Sequence, residues 1–425
     1  MCVKYTAILL RSSVKVSKLL AINGGDPISH EPLRYVWPII NDDIRRVVLE
    51  QLSESISIYD DSGVFGRFED TYASAHNMPY ALLTNSGTSA LQTAYYSLLL
   101  YPGDEIIVPV YTFHATVSPM MHFGAIPVFA DSDAYGQFDP NELDRLVSPR
   151  TKAVVVTHMW GYTVDIEPIR EFCNKHELTL IEDCSHAHGA TVNGTTVGSF
   201  GDMSIWSLQG QKIVSGGEGG IILFRNRSDF ERGVLYGHYN KRCHKQIQDP
   251  HISEFSLTGA GLKLRASTIN TAIALYHFEN LKEINANKTM NAELFMNNML
   301  HKKGVSVLAP RPGSTNSWYS LVIKYKASDT GVAKERFVAA LHAEGLVEFD
   351  IPGSTTLLHR EPLFNTPNTV FPALYDHNLL NCDKMYPGAQ EFDQQIIKLP
   401  VWEDTETVSL YLEGINKVLR DLNTL

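Results

Sequence analysis

One lysine stands in an unusual setting near the middle of the chain. Lys212 lies in SLQGQKIVSGGEGG, residues 207–220, a segment rich in glycine and poor in other charged side chains. One interpretation is a surface hairpin whose turn is formed by the glycines. The other is a lysine that forms a Schiff base with a carbonyl group, because burial and a cationic partner can lower a lysine pKa from its usual value of roughly 10.4. The second interpretation requires partner residues elsewhere in the chain.

A possible phosphate-binding loop lies between a predicted strand and a predicted helix. The motif NSGTSAL, residues 85–91, follows the apolar run YALLT. Small residues at a helix N-terminus leave backbone N–H groups free for an anion, so Gly87, Thr88 and Ser89 are candidates for binding phosphate. The simpler interpretation is a helix N-cap formed by Ser86 or Thr88. The motif is not a Walker loop, because no GK[ST] follows it.

Two further candidates follow other predicted strands. Phe113, in VPVYTFHAT, could lie flat on a planar ring, although an aromatic residue in this position is more often part of the core. Asp183, in IEDCSHAHGA, could accept a hydrogen bond from a ring nitrogen and keep it protonated, which turns a pyridine ring into an electron sink. Ligands bind beyond the carboxyl ends of the strands in sheets of this type, so both positions suit a ligand site.

Histidines near Asp183 allow a metal site as an alternative. His186 and His188 follow the aspartate, and His158 and Cys184 could join them. Neither the order nor the spacing of these residues matches a known zinc pattern, so no metal site is predicted.

The elements that carry these candidates alternate along the chain. The apolar runs YALLT, EIIVPV, IPVFAD, AVVVTHM and TLIEDC are separated by helical segments such as SALQTAYYSLLL and EPIREFCNKHE. This alternation predicts an α/β protein with a mostly parallel sheet that is covered by helices. SIWSL and GGIILF are predicted to be two more strands, which flank the segment of Lys212.

Helical patterns also define the predicted domains. They occur from Asn41 onward, where an N-cap precedes acidic residues, and at residues 67–75, 267–300, 335–346 and 405–422. The long helix at 267–300 would connect the large domain to a smaller α+β domain that also contains the strand WYSLVIKY. We therefore predict an N-terminal extension at 1–24, a large domain at 25–285 and a small domain at 286–425.

Composition restricts the possible partners and compartments. The 425 residues are 44% hydrophobic and carry a net charge of -11, which is typical of a soluble globular protein and argues against nucleic acid or an anionic membrane as partner. The five cysteines include no CxxC pair and favour a reducing cytoplasm. The apolar patch at residues 5–10 is too short to span a bilayer and lacks a cleavage pattern, so a targeting role of this extension is the less favoured alternative.

The order of the motifs matches the needs of a pyridoxal phosphate (PLP) enzyme. Such an enzyme requires a loop for the phosphate, an aromatic ring to stack on the cofactor, an aspartate for the pyridine nitrogen and a lysine for the Schiff base. Each motif is a weak signal alone, but all four occur here in one chain and in this order.

The chain resembles the DegT/DnrJ/StrS family of aminotransferases, fold-type-I PLP enzymes that transfer an amino group to keto sugars and keto cyclitols. The resemblance extends from LAINGGDP at residue 20 to the C-terminal helix. It is carried by NSGTSAL, VPVYTFHAT, GAIPVFAD, IEDCSHAHGA, GDMSIWSLQGQKIVSGGEGG, GLKLRAST, PLF and IIKLPVW. It implies a large PLP-binding domain with a mostly parallel sheet and a smaller C-terminal α+β domain.

The resemblance also implies roles for individual residues. Lys212 would be the Schiff-base lysine and Asp183 the partner of the pyridine nitrogen. His186 would neighbour the ring hydroxyl, and Phe113 would stack on the ring.

The phosphate would be bound by residues of two subunits of a homodimer. The residues of the same chain would be Gly87, Thr88, Ser89 and Ser207. Many family members contribute an asparagine from a GxNxR motif of the second subunit. The motif is GLKLR in this chain, which places Lys263 there, and a lysine can also neutralise a phosphate.

Lys212 also distinguishes between reaction types. Relatives that remove a hydroxyl group have a histidine at this position, so the resemblance implies transamination with glutamate or glutamine as donor and ping-pong kinetics. Lys212 would then be the general base. The alternatives are a PLP-dependent dehydratase or aromatising synthase on the same scaffold, and a PLP-binding protein without catalysis.

The amino acceptor is less well defined. LAINGGDP and the GxKxR variant resemble members that act on cyclitols or on free and phosphorylated keto sugars more than those that act on nucleotide-linked sugars. The segment YGHYNKRCHK, residues 236–245, is either an acceptor-binding loop that contains Arg242 and Lys245 or a solvated surface loop.

Overall fold

The computed structural model of the protein describes residues 19–300, 302–379 and 381–425. The apolar patch at residues 5–10 and most of the N-terminal extension lie outside these residues. The strands are β1 (Tyr80–Thr84), β2 (Glu105–Pro109), β3 (Tyr111–Phe113), β4 (Ile126–Ala130), β5 (Thr151–Thr157), β6 (Thr179–Asp183), β7 (Thr191–Val192), β8 (Thr195–Thr196), β9 (Met203–Ser207), β10 (Gly220–Phe224), β11 (Val305–Val307), β12 (Ser314–Thr315), β13 (Leu321–Tyr325), β14 (Thr355–Leu357) and β15 (Ile396–Leu399).

Helices separate most of these strands. They are α1 (Asp42–Glu54), α2 (Gly63–Ala75), α3 (Gly87–Ser97), α4 (Leu143–Leu146), α5 (Ile166–Lys175), α6 (Arg227–Gly237), α7 (Lys241–Gln246), α8 (Pro250–Ser253), α9 (Thr268–Glu279), α10 (Leu281–Asn298), α11 (Ala327–Thr330), α12 (Lys334–Ala343), α13 (Pro387–Gln395) and α14 (Thr405–Arg420). None of the helices in the described part of the chain combines the length and the apolar character needed to cross a membrane.

A seven-stranded sheet forms the centre of the structure, in the order β1-β10-β9-β6-β5-β2-β4. Its four parallel pairings join β4, β2, β5, β6 and β9, and β10 is antiparallel to both of its neighbours. The seven strands are the five apolar runs and the two runs that flank Lys212. The prediction of an α/β fold with a mostly parallel sheet is therefore confirmed.

The sheet is buried on both faces, which explains why most positions of its strands are apolar. In β5, Val155 packs into the core on one face, whereas Val154 and Val156 pack into the core on the other face. Successive side chains of a strand point to opposite faces, so a strand with helices on both sides needs an apolar residue at every position.

The C-terminal part forms a smaller antiparallel sheet, in the order β11-β13-β15. The N-terminal segment is attached to this part, because the backbone N–H groups of Ala21 and Ile28 donate to Glu344. Glu344 is fully buried and pairs with Lys417 of α14 at 2.7 Å. The domain boundaries after residues 24 and 285 stay a prediction, and α10 extends across the second of them.

Two predicted helices differ from the observed ones. The single helix predicted at 267–300 is wrong, because α9 ends at Glu279 and α10 begins at Leu281. The side chain of Asn280 donates to the carbonyl of Tyr276 at 2.8 Å, and asparagine favours such helix ends by competing with the backbone for hydrogen bonds. The helix predicted at 67–75 begins earlier, at Gly63.

The segment at 236–245 is not a solvated loop throughout, because part of it is buried, and its role in binding an acceptor stays a prediction. It contains the end of α6 and the start of α7. Arg242 is buried and pairs with Glu69 at 2.7 Å, and Glu69 also accepts from the backbone N–H of Leu83. Arg242 therefore joins α7 to α2 and β1, whereas Lys245 is exposed and pairs with Asp61.

Candidate active site

A cavity of about 430 Å³ opens where several strands of the large sheet end. Its wall includes Thr157, Asp183 and Ser207, the last residues of β5, β6 and β9, and Ser86, which follows β1. These ends lie at one edge because the strands run in the same direction, as ligand sites in such sheets require. The volume is in the range of small-molecule sites.

Lys212 lies half-buried in the connection between β9 and β10. Its backbone N–H donates to the carbonyl of Gln209 at 2.8 Å, and its own carbonyl accepts from the indole N–H of Trp37 at 2.8 Å. The side chain lines the cavity, with Nζ 4.7 Å from the ring centre of Tyr319. Nζ makes no hydrogen bond or ion pair with any residue that the structure describes.

Its surroundings favour the neutral form of Lys212. Burial lowers the Lys212 pKa to about 8, and the opposite charge of Asp183 limits that decrease. The hairpin interpretation correctly describes the antiparallel strands β9 and β10, but the lysine side chain faces the cavity instead of bulk water.

The NSGTSAL motif forms a helix N-cap at the start of α3 and also leaves backbone N–H groups free for an anion. Ser86 is the N-cap, since its Oγ accepts from the backbone N–H of Ser89 at 3.0 Å. Ser89 belongs to this cap and does not line the cavity, whereas Gly87 and Thr88 do. The backbone N–H groups of Gly87 and Thr88 have no partner among the described residues, so they are available to an anion.

Close packing explains the glycine in this motif. A Cβ atom on Gly87 would lie 2.8 Å from the Cβ of Ser207, which is closer than side-chain atoms approach in proteins. Glycine at position 87 therefore lets α3 begin directly beside the end of β9. This contact places the free backbone amides and the Ser207 hydroxyl on the same wall of the cavity.

Asp183 is held in a fixed orientation at the end of β6. Its side chain is buried and lines the cavity. Thr116 Oγ1 donates to one carboxylate oxygen at 2.7 Å, and the backbone N–H of Ser185 donates to the other at 3.1 Å. Each oxygen keeps a further lone pair, so the carboxylate can still accept a hydrogen bond from a ligand.

His186 lies in a stack of aromatic rings. Its ring centre is 4.0 Å from that of Tyr319, with the two planes 6° apart, and it also stacks on Trp160 at 5.6 Å. Burial, followed by the charge of Lys212, lowers the His186 pKa well below its ordinary value, so the ring is neutral at pH 7. The backbone N–H of Trp160 donates to Nδ1 at 3.3 Å, which places the single ring proton on Nε2.

Phe113 and Lys263 differ in their relation to the cavity. Phe113, at the end of β3, is 40% exposed and lines the cavity, so it is not a core aromatic residue. Lys263 is exposed and does not line the cavity of its own chain. The structure therefore brings together every predicted site residue except Ser89 and Lys263.

The alternative metal site has its ligand atoms engaged elsewhere. His158, Glu182 and Cys184 are buried within 4.8 Å of one another. However, His158 bonds to Glu182 and to a backbone N–H, and Glu182 accepts from three backbone N–H groups of residues 198–201. His188 also uses both ring nitrogens, with Tyr72 and the Ser207 carbonyl as partners. These contacts stabilise the loops behind the cavity.

Several residues of the site were missed in the sequence. Trp160 follows β5 and has a positive φ of 61°, so the rule that ligand residues follow strand ends would have found it. Tyr319 and Lys398 come from the C-terminal part, and Trp37 comes from the N-terminal segment. No local pattern connects these three positions to the cavity.

The residues around the cavity fit PLP. They include a lysine with a free Nζ, a buried carboxylate with spare lone pairs, and a helix N-terminus with two unpaired N–H groups beside a serine hydroxyl. These groups correspond to the aldehyde, the ring nitrogen and the phosphate of the cofactor.

Comparison with known proteins supports the same identity. The DegT/DnrJ/EryC1/StrS aminotransferase family matches residues 49–412. A putative L-glutamine:3-amino-2,3-dideoxy-scyllo-inosose aminotransferase from Micromonospora echinospora is 29% identical, over 84% of this chain and 85% of the relative. An L-glutamine:2-deoxy-scyllo-inosose aminotransferase from Streptoalloteichus tenebrarius is 31% identical, over 81% of this chain and 83% of the relative.

Solved structures show the same fold. The aminotransferase from Psychrobacter cryohalolentis superposes with a TM-score of 0.80 at 23% identity, over 92% of this chain and 99% of that chain. The predicted family, fold class, cofactor and enzyme class are all confirmed. The protein is a member of the DegT/DnrJ/EryC1/StrS aminotransferase family, a PLP-dependent aminotransferase with the fold-type-I architecture.

Proposed function

We propose that this enzyme transfers the amino group of glutamine or glutamate to a keto cyclitol or keto sugar during the synthesis of an amino sugar or aminocyclitol. The observation that carries the proposal is the Lys212 side chain, which faces the cavity, has no hydrogen-bonding or ion-pair partner among the described residues and has a pKa lowered to about 8. Two relatives that match most of the chain are named for glutamine-dependent amination of scyllo-inosose derivatives, which supports a cyclitol as acceptor.

The proposed roles follow from the positions of the side chains. Bound PLP supplies a ring that withdraws electrons from the amino-bearing carbon of the substrate. Asp183 holds a proton on the ring nitrogen, and Phe113 covers one face of the ring. Unprotonated Nζ of Lys212 takes the proton from the amino-bearing carbon of the donor and later returns a proton to the acceptor carbon.

The remaining contacts orient the cofactor. The backbone N–H groups of Gly87 and Thr88 and the hydroxyl of Ser207 bind the phosphate oxygens. His186 would hold the cofactor near its ring hydroxyl through the Nε2 proton, because its Nδ1 is already occupied by the N–H of Trp160. Ser89 acts on the phosphate only indirectly, by completing the cap of α3.

The charges of the cavity favour an acceptor without a nucleotide diphosphate. Among the described residues that line it, Lys212 and Lys398 are the only lysines and no arginine is present. A diphosphate needs several cationic partners, whereas the hydroxyl groups of a cyclitol or a free sugar need only hydrogen-bonding partners.

We also propose a homodimer with shared sites. Ile56, Tyr59, Leu257 and Leu262 are large apolar side chains that are exposed in one chain, and Lys263 lies next to the last of them. Exposed apolar groups of this kind favour association with a partner surface. Lys263 of each subunit would then bind the phosphate in the cavity of the other.

A cytoplasmic location completes the proposal. The described cysteines, Cys173, Cys184, Cys243 and Cys382, are all free thiols. A reducing compartment keeps thiols in this state.

The test of the proposed reaction uses the absorbance spectrum of the PLP-loaded protein, with glutamine and then with a deoxy-scyllo-inosose. We expect glutamine to shift the visible absorbance band and the ketone to restore it, with the aminocyclitol as product. Loss of water without amine transfer would instead indicate a dehydratase. A spectrum that no amino donor changes would indicate a protein that binds PLP without catalysis.

The shared site is tested by mixing two variants, Lys212→Ala and Lys263→Glu, each of which should be inactive alone because the first lacks the reactive amine and the second places a negative charge beside the phosphate. A mixed dimer contains one cavity with both lysines intact, so we expect activity to return after subunit exchange. Light scattering measures the dimer. An active monomer, or a mixture that stays inactive although mixed dimers form, would contradict the shared site.

A further inference from the structure

A lysine without a role in the proposed reaction lies at the edge of the cavity. Lys398, on β15, lines the cavity together with Trp160 and Tyr319. Its Nζ is 2.7 Å from Asp350 Oδ2 and 5.6 Å from the ring centre of Trp160. The side chain is 27% exposed, so a ligand in the cavity can reach the ammonium group.

A second cavity begins where Lys398 lies. It measures about 290 Å³ and shares Gln211, Tyr319 and Lys398 with the first cavity. Lys398 and Tyr319 therefore lie where the two cavities adjoin.

Every amino-acid donor brings a carboxylate that needs a cationic partner. No arginine lines either cavity among the described residues. Lys212 must be neutral to accept a proton, and His186 is kept neutral by its buried position. His342 already bonds to the carbonyl of Phe349 at 2.7 Å. Among the described residues of one chain that line the two cavities, Lys398 is the remaining cation.

The geometry of Lys398 leaves capacity for a ligand. An ammonium group has three N–H donors, and Asp350 is the hydrogen-bonding partner of one of them. We propose that Lys398 binds the α-carboxylate of the amino donor and that Asp350 competes with this carboxylate for the ammonium group. The inference rests on the proposed transfer from glutamine or glutamate and adds the residue that recognises the donor.

The local backbone does not depend on this ion pair. The N–H of Asp350 donates to the carbonyl of Lys398 at 3.0 Å, and the N–H of Lys398 donates to the carbonyl of Asp350 at 2.8 Å. Since these bonds join the two segments without the side chains, we expect Lys398→Gln and Asp350→Asn to fold.

The experiment compares L-glutamine with its α-amide, which keeps the reacting amino group but lacks the carboxylate. The concentration that half-saturates the donor half-reaction is measured from the absorbance change of the PLP-loaded enzyme. For the native enzyme, we expect the half-saturating concentration of the α-amide to be at least about ten-fold higher than that of glutamine, because the α-amide cannot form the charge-assisted hydrogen bond. Lys398→Gln should bind glutamine more weakly by a similar factor and should distinguish the two donors by less than about two-fold.

Further variants test the charge itself. Lys398→Arg should restore most of the discrimination, and Asp350→Asn should lower the half-saturating concentration of glutamine because the competing anion is gone. Lys326→Gln, at an exposed lysine just after β13, is the matched control and should behave like the native enzyme. The acceptor half-reaction, started from enzyme loaded with pyridoxamine phosphate, should keep its half-saturating concentration in Lys398→Gln.

Failure of the inference about Lys398 can be distinguished from failure of the proposed function. If Lys398→Gln discriminates between the donors as the native enzyme does, or weakens only the acceptor, the inference is overturned while the proposed function stands. If the native enzyme shows no absorbance change with any donor, the proposed function itself fails. If Lys398→Gln does not fold, two other results decide. The inference is overturned if native enzyme binds glutamine and its α-amide equally well. It is also overturned if Asp350→Asn binds glutamine more weakly than native enzyme does.

Discussion

Two lysines of this enzyme, the half-buried Lys212 and the buried Lys288, have the same lowered pKa but different surroundings. Burial lowers the pKa of both Lys212 and Lys288 to about 8. Lys288, on α10, is 1% exposed and donates to the hydroxyl of Tyr35 and to the carbonyl of Val401. Lys212 has no such partner and faces a cavity. A lowered lysine pKa therefore reports burial, and reactivity requires in addition an unpaired Nζ and space for a substrate.

The two lysines are also connected. Nζ of Lys288 lies 5.0 Å from the ring centre of Trp37, and the indole N–H of Trp37 donates to the carbonyl of Lys212. Lys288 thus supports an aromatic side chain that fixes the backbone of the reactive lysine. Four predictions test whether the two lysines differ as this comparison says.

The largest expected difference is between the rates of amine transfer in a Lys212 variant and in a Lys288 variant. Lys212→Ala should reduce the rate by about 10³-fold or more because it removes the general base, whereas Lys288→Met should stay within about ten-fold of the native rate. Borohydride reduction followed by peptide mapping should attach the cofactor to Lys212 in native enzyme and in Lys288→Met. If Lys288→Met folds but is as inactive as Lys212→Ala, the proposed difference between a reactive and a structural lysine is wrong.

The pH dependence of PLP capture should report Lys212 alone. The amine attacks a carbonyl only when unprotonated, so the rate constant for PLP uptake by the apoprotein should rise with pH and level off above about 8. A pKa near 8 predicts an increase of about ten-fold from pH 7 to the plateau. Stopped-flow absorbance measures the rate, and Lys288→Met should give the same inflection. An inflection near the ordinary lysine pKa would show that Lys212 is not desolvated.

The stability of the apoprotein should depend on pH partly through Lys288. Its pKa is about 8 in the folded state and 10.5 in the reference state, so between these values the unfolded chain binds more protons. The free energy of unfolding therefore rises with pH in this window, by up to about 1.4 kcal/mol per pH unit for each such lysine. Urea unfolding from pH 8 to 10 should show a smaller slope for Lys288→Met, and an unchanged slope would contradict the assigned shift.

Removal of the hydrogen bond between Trp37 and the Lys212 carbonyl should have the smallest effect on activity of the four changes. Trp37→Phe keeps a ring beside Lys288 but removes the N–H that bonds to the Lys212 carbonyl. The loss of one hydrogen bond should lower kcat by about three- to ten-fold with little change in the KM for glutamine, because the change affects the position of the lysine and not donor binding. Steady-state kinetics with both substrates measures this. A kcat equal to the native value would show that the Trp37 contact does not position Lys212.

The strands of the large sheet were predictable because each is buried on both faces. Every position of β5 except the exposed Lys152 must be apolar or small, which makes the run and its ends visible in the sequence. The break at Asn280 was not visible, since asparagine occurs inside helices as well as at their ends. The buried position of Arg242 was also hidden, because its partner Glu69 is 173 residues away.

The candidate site divides in the same way. Asp183 and the N-terminus of α3 were predictable, since each lies at or just after the end of a strand and the shared direction of the strands brings their ends together. Ser207 was predicted from the resemblance to the family. Tyr319 and Lys398 enter the site from the C-terminal part, and Trp37 reaches Lys212 across 175 residues. Packing between distant segments decides such contacts, and no local pattern records it.

By itself, the sequence determined the α/β architecture and the cofactor and predicted Lys212 as the Schiff-base lysine, because local apolar patterns and the order of the motifs are visible in it. Only the tertiary structure decided which buried lysine has a partner. Lys288 receives its partners from Tyr35 and Val401, at opposite ends of the chain, whereas the folded chain leaves an open cavity beside Lys212. The state of a buried amine depends on the groups that surround it, and these are fixed when the chain folds.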